Sequence, residues 1–449
     1  MNALRLLCLS LVASLAAQAA ATPMTMKEAW QSALQQNRGL QSQEFIYLAE
    51  KEGVREAWGQ LLPQIQATAG YGWSDYERDF DLQSSVRDSD THNRYEVSLD
   101  QVVYSRKAFK NIDRAKAAEA LADEQLQEFR LNIGYLTLEA YLGAAQLQAE
   151  ALVVEKEIAN HEKRLQQLDS MRDRGFASRA DSLEAQATID QVRAELSAIQ
   201  SQYRAALKHL EAVTGLPLQQ RQLKPAPVQA WRHTPALLQH DWDALALGNS
   251  HTIQRARGEL DLAEATHSVE QGGRWPELFI SARYNENDTF ATTLREETRV
   301  ELQLRLPLYT GGSTSARIRG AEQRVHAGRY QVMDAENAIR VEVARVSEEL
   351  SGSHGRISAL LVARDSSRAA LEVADRGFIG GVRSLNELLD SRNRLSRVER
   401  DLSKEVHNNL IRQFQLRQMA GVLSEADIDG LFAAPPQATQ PDELGPAGS

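Results

Sequence analysis

The sequence predicts a mainly α-helical fold with a smaller β component, built from two repeats that each join two strands to a very long helix. Three observations support this prediction. Two helical stretches of more than 60 residues contain no proline, four segments alternate apolar with polar residues, and several distinctive residues recur 206 positions later. Such self-similarity at a fixed spacing is the sequence signature of a repeated architecture.

The first 21 residues have the organisation of a secretory signal peptide. Arg5 precedes an apolar run at residues 6–17 and the small residues 19–21, so the mature chain is expected to begin near Thr22. The one cysteine of the chain, Cys8, lies within this predicted signal. Disulfides, thiolate metal sites and a cysteine nucleophile are therefore not expected in the mature protein.

The overall charge and hydropathy restrict the kind of partner. The formal net charge is −10, which argues against nucleic acid, because binding to phosphates needs a basic surface. After the predicted signal, no run of 18 apolar residues could span a membrane as a helix. The chain would enter a bilayer as strands, and the simpler alternative is an acidic, soluble, extracytoplasmic helical protein.

The duplication defines the predicted domain organisation. Gly175, Ser178 and Gly215 have counterparts 206 residues later at Gly381, Ser384 and Gly421. We therefore predict a first repeat at residues 22–215, a proline-rich connecting segment at 216–240 and a second repeat at 241–430. A disordered tail is expected at residues 431–449, which are rich in proline and have no periodicity.

The long helices are predicted at residues 108–172 and 315–375. The first carries apolar residues at alternating three- and four-residue steps, the spacing of a coiled coil. At 1.5 Å per residue it would extend roughly 100 Å. His161 lies on the apolar seam and is expected to be structural. A plain coiled-coil rod would explain these helices equally well.

The alternating segments, predicted as strands, occupy residues 64–73, 95–104, 277–286 and 299–308. The last has the cleanest alternation, and its predicted lipid-facing side consists of Val300, Leu302, Leu304, Leu306 and Leu308. About ten residues suffice to cross a bilayer at a tilt. Acidic loops at 74–93 and 287–298 join the strands in hairpins, and aromatic residues stand near both ends. Since four strands cannot close a barrel alone, a membrane-embedded sheet requires an oligomer.

These segments resemble the outer-membrane efflux and secretion family typified by TolC. The most specific matches are the two turns, GFASRADSLEAQ at residues 175–186 and GFIGGVRSLNELLDSRNRL at 377–395. The second resembles the turn of type I secretion members. The resemblance implies a homotrimer with four transmembrane strands per subunit, a 12-stranded barrel in the outer membrane of a Gram-negative bacterium and a periplasmic α-barrel.

The resemblance also implies partners. A periplasmic adaptor (membrane fusion) protein and an inner-membrane pump, expected to be an ABC transporter, would dock at the tips, around Gly175, Ser178, Gly381 and Ser384. The expected function is the exit duct of a tripartite export machine, with type I protein secretion favoured. Small-molecule efflux is the alternative, and a periplasmic coiled-coil adaptor or scaffold is a weaker one.

A periplasmic gate is implied at the second turn. By resemblance, Glu387 and Asp390 narrow the closed end, while Arg383 and Asp181 tie helices together; the position of a family tyrosine is occupied by Phe378, which has no hydroxyl. Independently, Glu387 and Asp390 stand at i and i+3 and face one side of a helix. The alternative is that both are solvated surface charges.

No catalytic, cofactor or metal site is predicted. The Gly311-Gly312-Ser-Thr segment lacks the Gly-Lys of a phosphate loop, and the histidines form no metal-ligand pattern. The sequence therefore predicts a protein that is not an enzyme.

Overall fold

The computed structural model describes residues 23–80, 84–175, 178–218, 222–226, 229–288 and 296–431. The predicted signal peptide lies outside these ranges, as does all of the predicted tail except Leu431. The first elements are α1 (Met26–Gln36), α2 (Arg38–Gly59), β1 (Gln64–Phe80), β2 (Ser84–Ser105), α3 (Arg106–Asp173) and α4 (Arg179–Thr214). The remaining ones are a 3-10 turn (Ala230–His233), α5 (Thr234–Leu238), α6 (Trp242–Asn249), α7 (His251–Gly272), β3 (Glu277–Asp288), β4 (Glu296–Arg305), α8 (Ser313–Ile379), α9 (Leu385–Met419) and α10 (Glu425–Gly430).

The chain divides into two compact units. One contains the described parts of Met1–Ser42, Gln127–His251 and Glu336–Ser449, and the other contains Gln43–Leu126 and Thr252–Ala335. Each unit draws residues from both predicted repeats, so the compact units are not the repeats themselves. The repeat boundaries stay a prediction.

The four strands form one antiparallel sheet in the order β1-β2-β3-β4. Its register brings the predicted apolar residues onto a single face, because Ile65 pairs with Leu99, Leu99 with Ala282, and Ala282 with Val300. The same face carries Ala67, Ala69, Tyr71, Trp73, Tyr95, Val97, Leu278, Ile280, Tyr284, Leu302 and Leu304. The predicted alternation is therefore confirmed on all four strands, with Gln101 and Glu286 as polar exceptions on the apolar face.

A β-bulge keeps this face continuous at the end of β2. By simple alternation, Tyr104 would fall on the polar face with Ser98 and Asp100. The register shifts between Val102 and Tyr104, which brings Tyr104 opposite Leu278 on the apolar face. An extra residue in one strand has this effect on every position beyond it.

Two strand predictions were wrong in extent. The expected loop at 74–93 is mostly strand, since β1 continues to Phe80 and β2 begins at Ser84. Residues 72–80 pair with 84–92 beyond the end of β3, so the first hairpin is a longer two-stranded ribbon. In the other hairpin β4 ends at Arg305, and Leu306 and Leu308 therefore lie beyond it. Pro307 explains this end, because proline has no N–H to donate to a sheet.

The long helices agree closely with prediction. α3 has 68 residues and α8 has 67, against predicted ranges of 108–172 and 315–375. Along α3, Val154 and Ile158 pack with Val192 and Ile199 of α4, as expected for a coiled-coil seam. Within the described ranges, none of the helices combines the length and apolar character of a membrane span.

The main core surrounds the middle of α3. Tyr141 is 1% exposed, and its hydroxyl lies 2.8 Å from the carbonyl oxygens of both Met24 and Lys224. Gly134 is required here, since a Cβ at this position would lie 2.3 Å from the Trp30 ring of α1. The predicted proline-rich connecting segment joins this core and contains the 3-10 turn and α5.

Candidate functional site

The first candidate feature is the pair of turns that end the long helices. Gly175 follows α3 with a φ of 80°, and Gly381 follows α8 with a φ of 70°. This left-handed region favours glycine, because a Cβ is strained there. Both turns lead into a serine N-cap, Ser178 for α4 and Ser384 for α9. The matched positions of the two predicted repeats thus have matched conformations.

The two caps differ in how they use the acidic residue three positions on. Asp181 is fully engaged in a capping box, accepting hydrogen bonds from the Ser178 backbone N–H at 2.9 Å and from its hydroxyl at 2.8 Å. Glu387 contributes to its cap through the backbone N–H, which donates to the Ser384 hydroxyl at 3.3 Å. Across the described residues, the Glu387 carboxylate takes part in no ion pair, so it is available to the surface beside α9.

Four charged side chains of the second turn line one open groove. The groove has a volume of about 490 Å³ and lies beside the start of α9. Its lining includes Arg383, Glu387, Asp390 and Arg394, together with Val373 of α8. The structure thus brings together the predicted Arg383, Glu387 and Asp390. It does not join Arg383 to Asp181: no ion pair links them within the part of the chain that is described. A tie between neighbouring subunits stays a prediction.

Phe378, the position without a hydroxyl, is bound in a different way. The guanidinium carbon of Arg164 lies 4.3 Å from the centre of its ring, a cation–π contact. Arg164 also pairs with Asp375 at 3.2 Å and donates to Gln167 at 2.8 Å. Since Arg164 is on α3 and Phe378 on α8, this contact ties two long helices near their ends.

Sequence reasoning missed Arg164. It is only 8% exposed, and burial lowers the pKa of its guanidinium although Asp375 opposes this effect. A signal was available, because Glu157, His161 and Arg164 stand at i, i+4 and i+7 and so share one face of α3. Polar residues at that spacing on a buried seam indicate contacts with a second helix.

The same buried face of α3 also makes a polar contact with α9. Glu157 is 8% exposed, accepts a hydrogen bond from the Ser396 hydroxyl, and has His161 Nε2 at 3.7 Å. Burial alone would raise the pKa of Glu157, but His161, Ser396 and the charge of Arg400 hold it below the ordinary 4.5. The carboxylate therefore stays ionised between the helices. His161, expected to be structural, is 1% exposed.

The described residues around these turns hold no candidate metal site. Over the described ranges, no group of three or more His, Cys, Asp or Glu side chains could hold a metal ion. What the arrangement provides is a set of inter-helix contacts beside a charged groove.

Comparison with known proteins identifies the family. The sequence profile described as Outer membrane efflux protein matches residues 29–216 and 243–422. The chain belongs to this family. The outer membrane protein TolC of Vibrio cholerae is 27% identical over 387 residues, which cover 84% of this chain and 86% of TolC. The alkaline protease secretion protein AprF of Pseudomonas aeruginosa is 27% identical over 388 residues, covering 82% of this chain and 78% of AprF.

Solved structures show the same fold. The outer membrane protein VceC of Vibrio cholerae has a TM-score of 0.72 at 18% identity, covering 88% of this chain and 96% of VceC. The Campylobacter jejuni CmeC outer membrane channel has a TM-score of 0.74 at 10% identity, covering 90% and 89%. The predicted TolC-like family and fold are confirmed.

The predicted class of function is confirmed with the family. The chain is an outer-membrane export channel protein and not an enzyme. TolC-like channels are trimers that work with an adaptor and an inner-membrane pump. The predicted ABC transporter is a finer statement and belongs to the proposal below.

Proposed function

We propose that three copies of this chain form the exit duct of a type I protein secretion machine, with the sheet in the outer membrane and the helix tips contacting the partners. The observation that carries the proposal is the continuous apolar face of the sheet. On this face Val300, Leu302 and Leu304 are 67–70% exposed, although they are large apolar side chains. A soluble protein rarely exposes such a patch, whereas a lipid-facing strand requires one.

The free edges of the sheet support the trimer. β1 and β4 each pair on one side only, and lipid offers no hydrogen-bond partner for an open edge. Pairing β4 of one subunit with β1 of the next would satisfy both edges. Three sheets of four strands would then close a barrel of 12, within the range of known outer-membrane barrels.

The charged groove beside α9 supports a gate. In a trimer, Glu387 and Asp390 from each subunit would face one axis, where like charges repel and attract cations. Arg383 and Arg394 both line this groove, and the family resemblance points to Arg383 as the residue that offsets the repulsion in the closed state. Replacing both carboxylates by alanine should lower cation selectivity in a planar bilayer, and unchanged selectivity would leave them as solvated surface charges.

Protein cargo is favoured over small molecules by two relatives. AprF is named for the secretion of an alkaline protease, and PrtF of Dickeya chrysanthemi, 21% identical over 427 residues, for the secretion of proteases. The Val382-Arg383-Ser384 segment of the second tip is consistent with this choice. Small-molecule efflux remains the alternative, because the matching family is described as Outer membrane efflux protein.

Crosslinking from the tip tests the partners. Val382 is 84% exposed beside Gly381 and suits a photo-crosslinking residue, with exposed Phe45 on α2 as the matched control site. We expect Val382, and not Phe45, to capture an adaptor that co-purifies with an ABC transporter. An adaptor that co-purifies with a proton-driven pump would favour small-molecule efflux. Equal capture from both sites would contradict docking at the tips.

A further inference from the structure

A groove lies between the segment that joins α7 to β3 and the segment that joins β4 to α8. It encloses about 270 Å³ and is lined by Arg274, Pro307, Leu308, Tyr309, Thr310 and Thr314, among others. All of these residues belong to one compact unit. The space exceeds that of several water molecules, at about 30 Å³ each, and so could hold a phosphodiester group.

The groove follows directly on β4, the strand that carries Val300, Leu302 and Leu304. Its wall begins at Pro307, two residues after β4 ends, and the nearest apolar side chain on the strand is Leu304. Leu308 and Tyr309 are each 88% exposed, and Trp275 beside Arg274 is 45% exposed. Aromatic and apolar side chains at a strand end are typical of the level at which a membrane meets water.

The same place carries positive charge that no carboxylate neutralises. Arg274 donates one hydrogen bond, from Nη2 to the Ser315 hydroxyl at 3.3 Å, and the described residues give it no ion pair. Arg106 lies over the Trp275 ring at 4.4 Å, a contact that leaves its charge in place. The hydroxyls of Thr310 and Thr314 are 3.0 Å apart at the groove. Phosphate oxygens accept hydrogen bonds from guanidinium and hydroxyl groups, and those from guanidinium are the strong ones.

We infer that this groove binds the phosphodiester of a membrane phospholipid, with Arg274 on the phosphate and an acyl chain along Leu308 and the apolar face. The inference rests on the membrane placement proposed above and adds a specific lipid site to it. Apolar contact and positive charge on one surface match the two ends of a phospholipid. A free phosphate ion would use only the polar half.

Native mass spectrometry of the detergent-purified trimer tests the site. The probes are phosphatidylglycerol and diacylglycerol, which differ in the phosphate-bearing headgroup. We expect Arg274→Gln to weaken phosphatidylglycerol binding by about tenfold, the equivalent of 1.4 kcal/mol, without affecting diacylglycerol. The matched control is Arg319→Gln on α8, which removes an exposed arginine that does not line the groove and should bind like the parent.

Two further arms identify the source of the phosphate and guard against misfolding. Excess inorganic phosphate should leave the lipid bound, and Leu308→Ser should weaken lipid binding without changing any binding of inorganic phosphate. Arg274→Lys keeps the charge and should retain part of the affinity if the folded trimer is intact. Equal losses in the Arg274 and Arg319 variants, or full displacement by inorganic phosphate, would overturn the lipid site. A trimer that needs no detergent would instead refute the membrane placement.

Discussion

The membrane placement predicts a graded response to arginine along β4. Leu302 pairs with Ile280, and with Val300 it forms the two inner rows between the Leu278–Leu304 row next to Tyr104 and the Tyr284–Thr298 row. Leu302→Arg should therefore put a charge near the bilayer midplane, at a cost of about 2–4 kcal/mol per subunit. Since 1.4 kcal/mol is a factor of ten, assembly should fall by at least an order of magnitude.

The other positions set the scale. Leu304 is next to the last residue of β4 and Leu306 lies beyond it, so arginine should cost progressively less at these sites, approaching about 0–1 kcal/mol at the interface. Gln303→Arg is the control, because Gln303 pairs with Phe279 on the opposite face. The assay is the fraction of heat-modifiable trimer in outer-membrane preparations. Equal assembly of the Leu302→Arg and Gln303→Arg proteins would refute the assignment of the two faces.

Three further predictions concern the helical part. Gly381 has a φ of 70°, and no heavy atom lies within 4 Å of a Cβ built there. Gly381→Val should therefore strain only the turn, by about 1–2 kcal/mol, and should abolish export while trimers still insert. Loss of insertion would indicate a folding role. Arg383→Ala should raise conductance, and Asp181→Asn, which keeps a cap acceptor, should not add to it if both remove one contact; additive increases would exclude a shared tie. Because the pKa of Glu157 is lowered in the folded protein, its carboxylate contributes stability above the ordinary pKa of 4.5, and this contribution is lost as the pH falls through the folded pKa. The difference in melting temperature between Glu157→Gln and the parent should therefore shrink on acidification. A constant difference would contradict this role.

The sequence was sufficient where periodicity and backbone chemistry determine the structure. Apolar seams and the absence of proline predicted α3 and α8 to within four residues at each end. Alternation predicted the apolar face, since side chains must alternate across a strand. Glycines at the tips were informative because their positive φ suits no other residue as well.

The errors arose where pairing partners decide the outcome. The segments at 74–80 and 84–92 are mostly polar in sequence, so no apolar alternation marked them, yet β1 and β2 pair there. The leucines after Pro307 continued the apolar pattern although the strand had ended. The Arg164–Phe378 contact joins positions more than 200 residues apart, which local periodicity cannot reveal.

The most direct test of the account is the conductance of purified trimers in a planar bilayer. Parent protein and Arg383→Ala should both insert, and the variant should show discrete, larger and cation-selective conductance steps because its gate has lost a basic partner. The Leu302→Arg protein should give few insertions. Intact trimers of both parent and Arg383→Ala that bind the bilayer without conducting ions would contradict the claim that this chain forms an export channel.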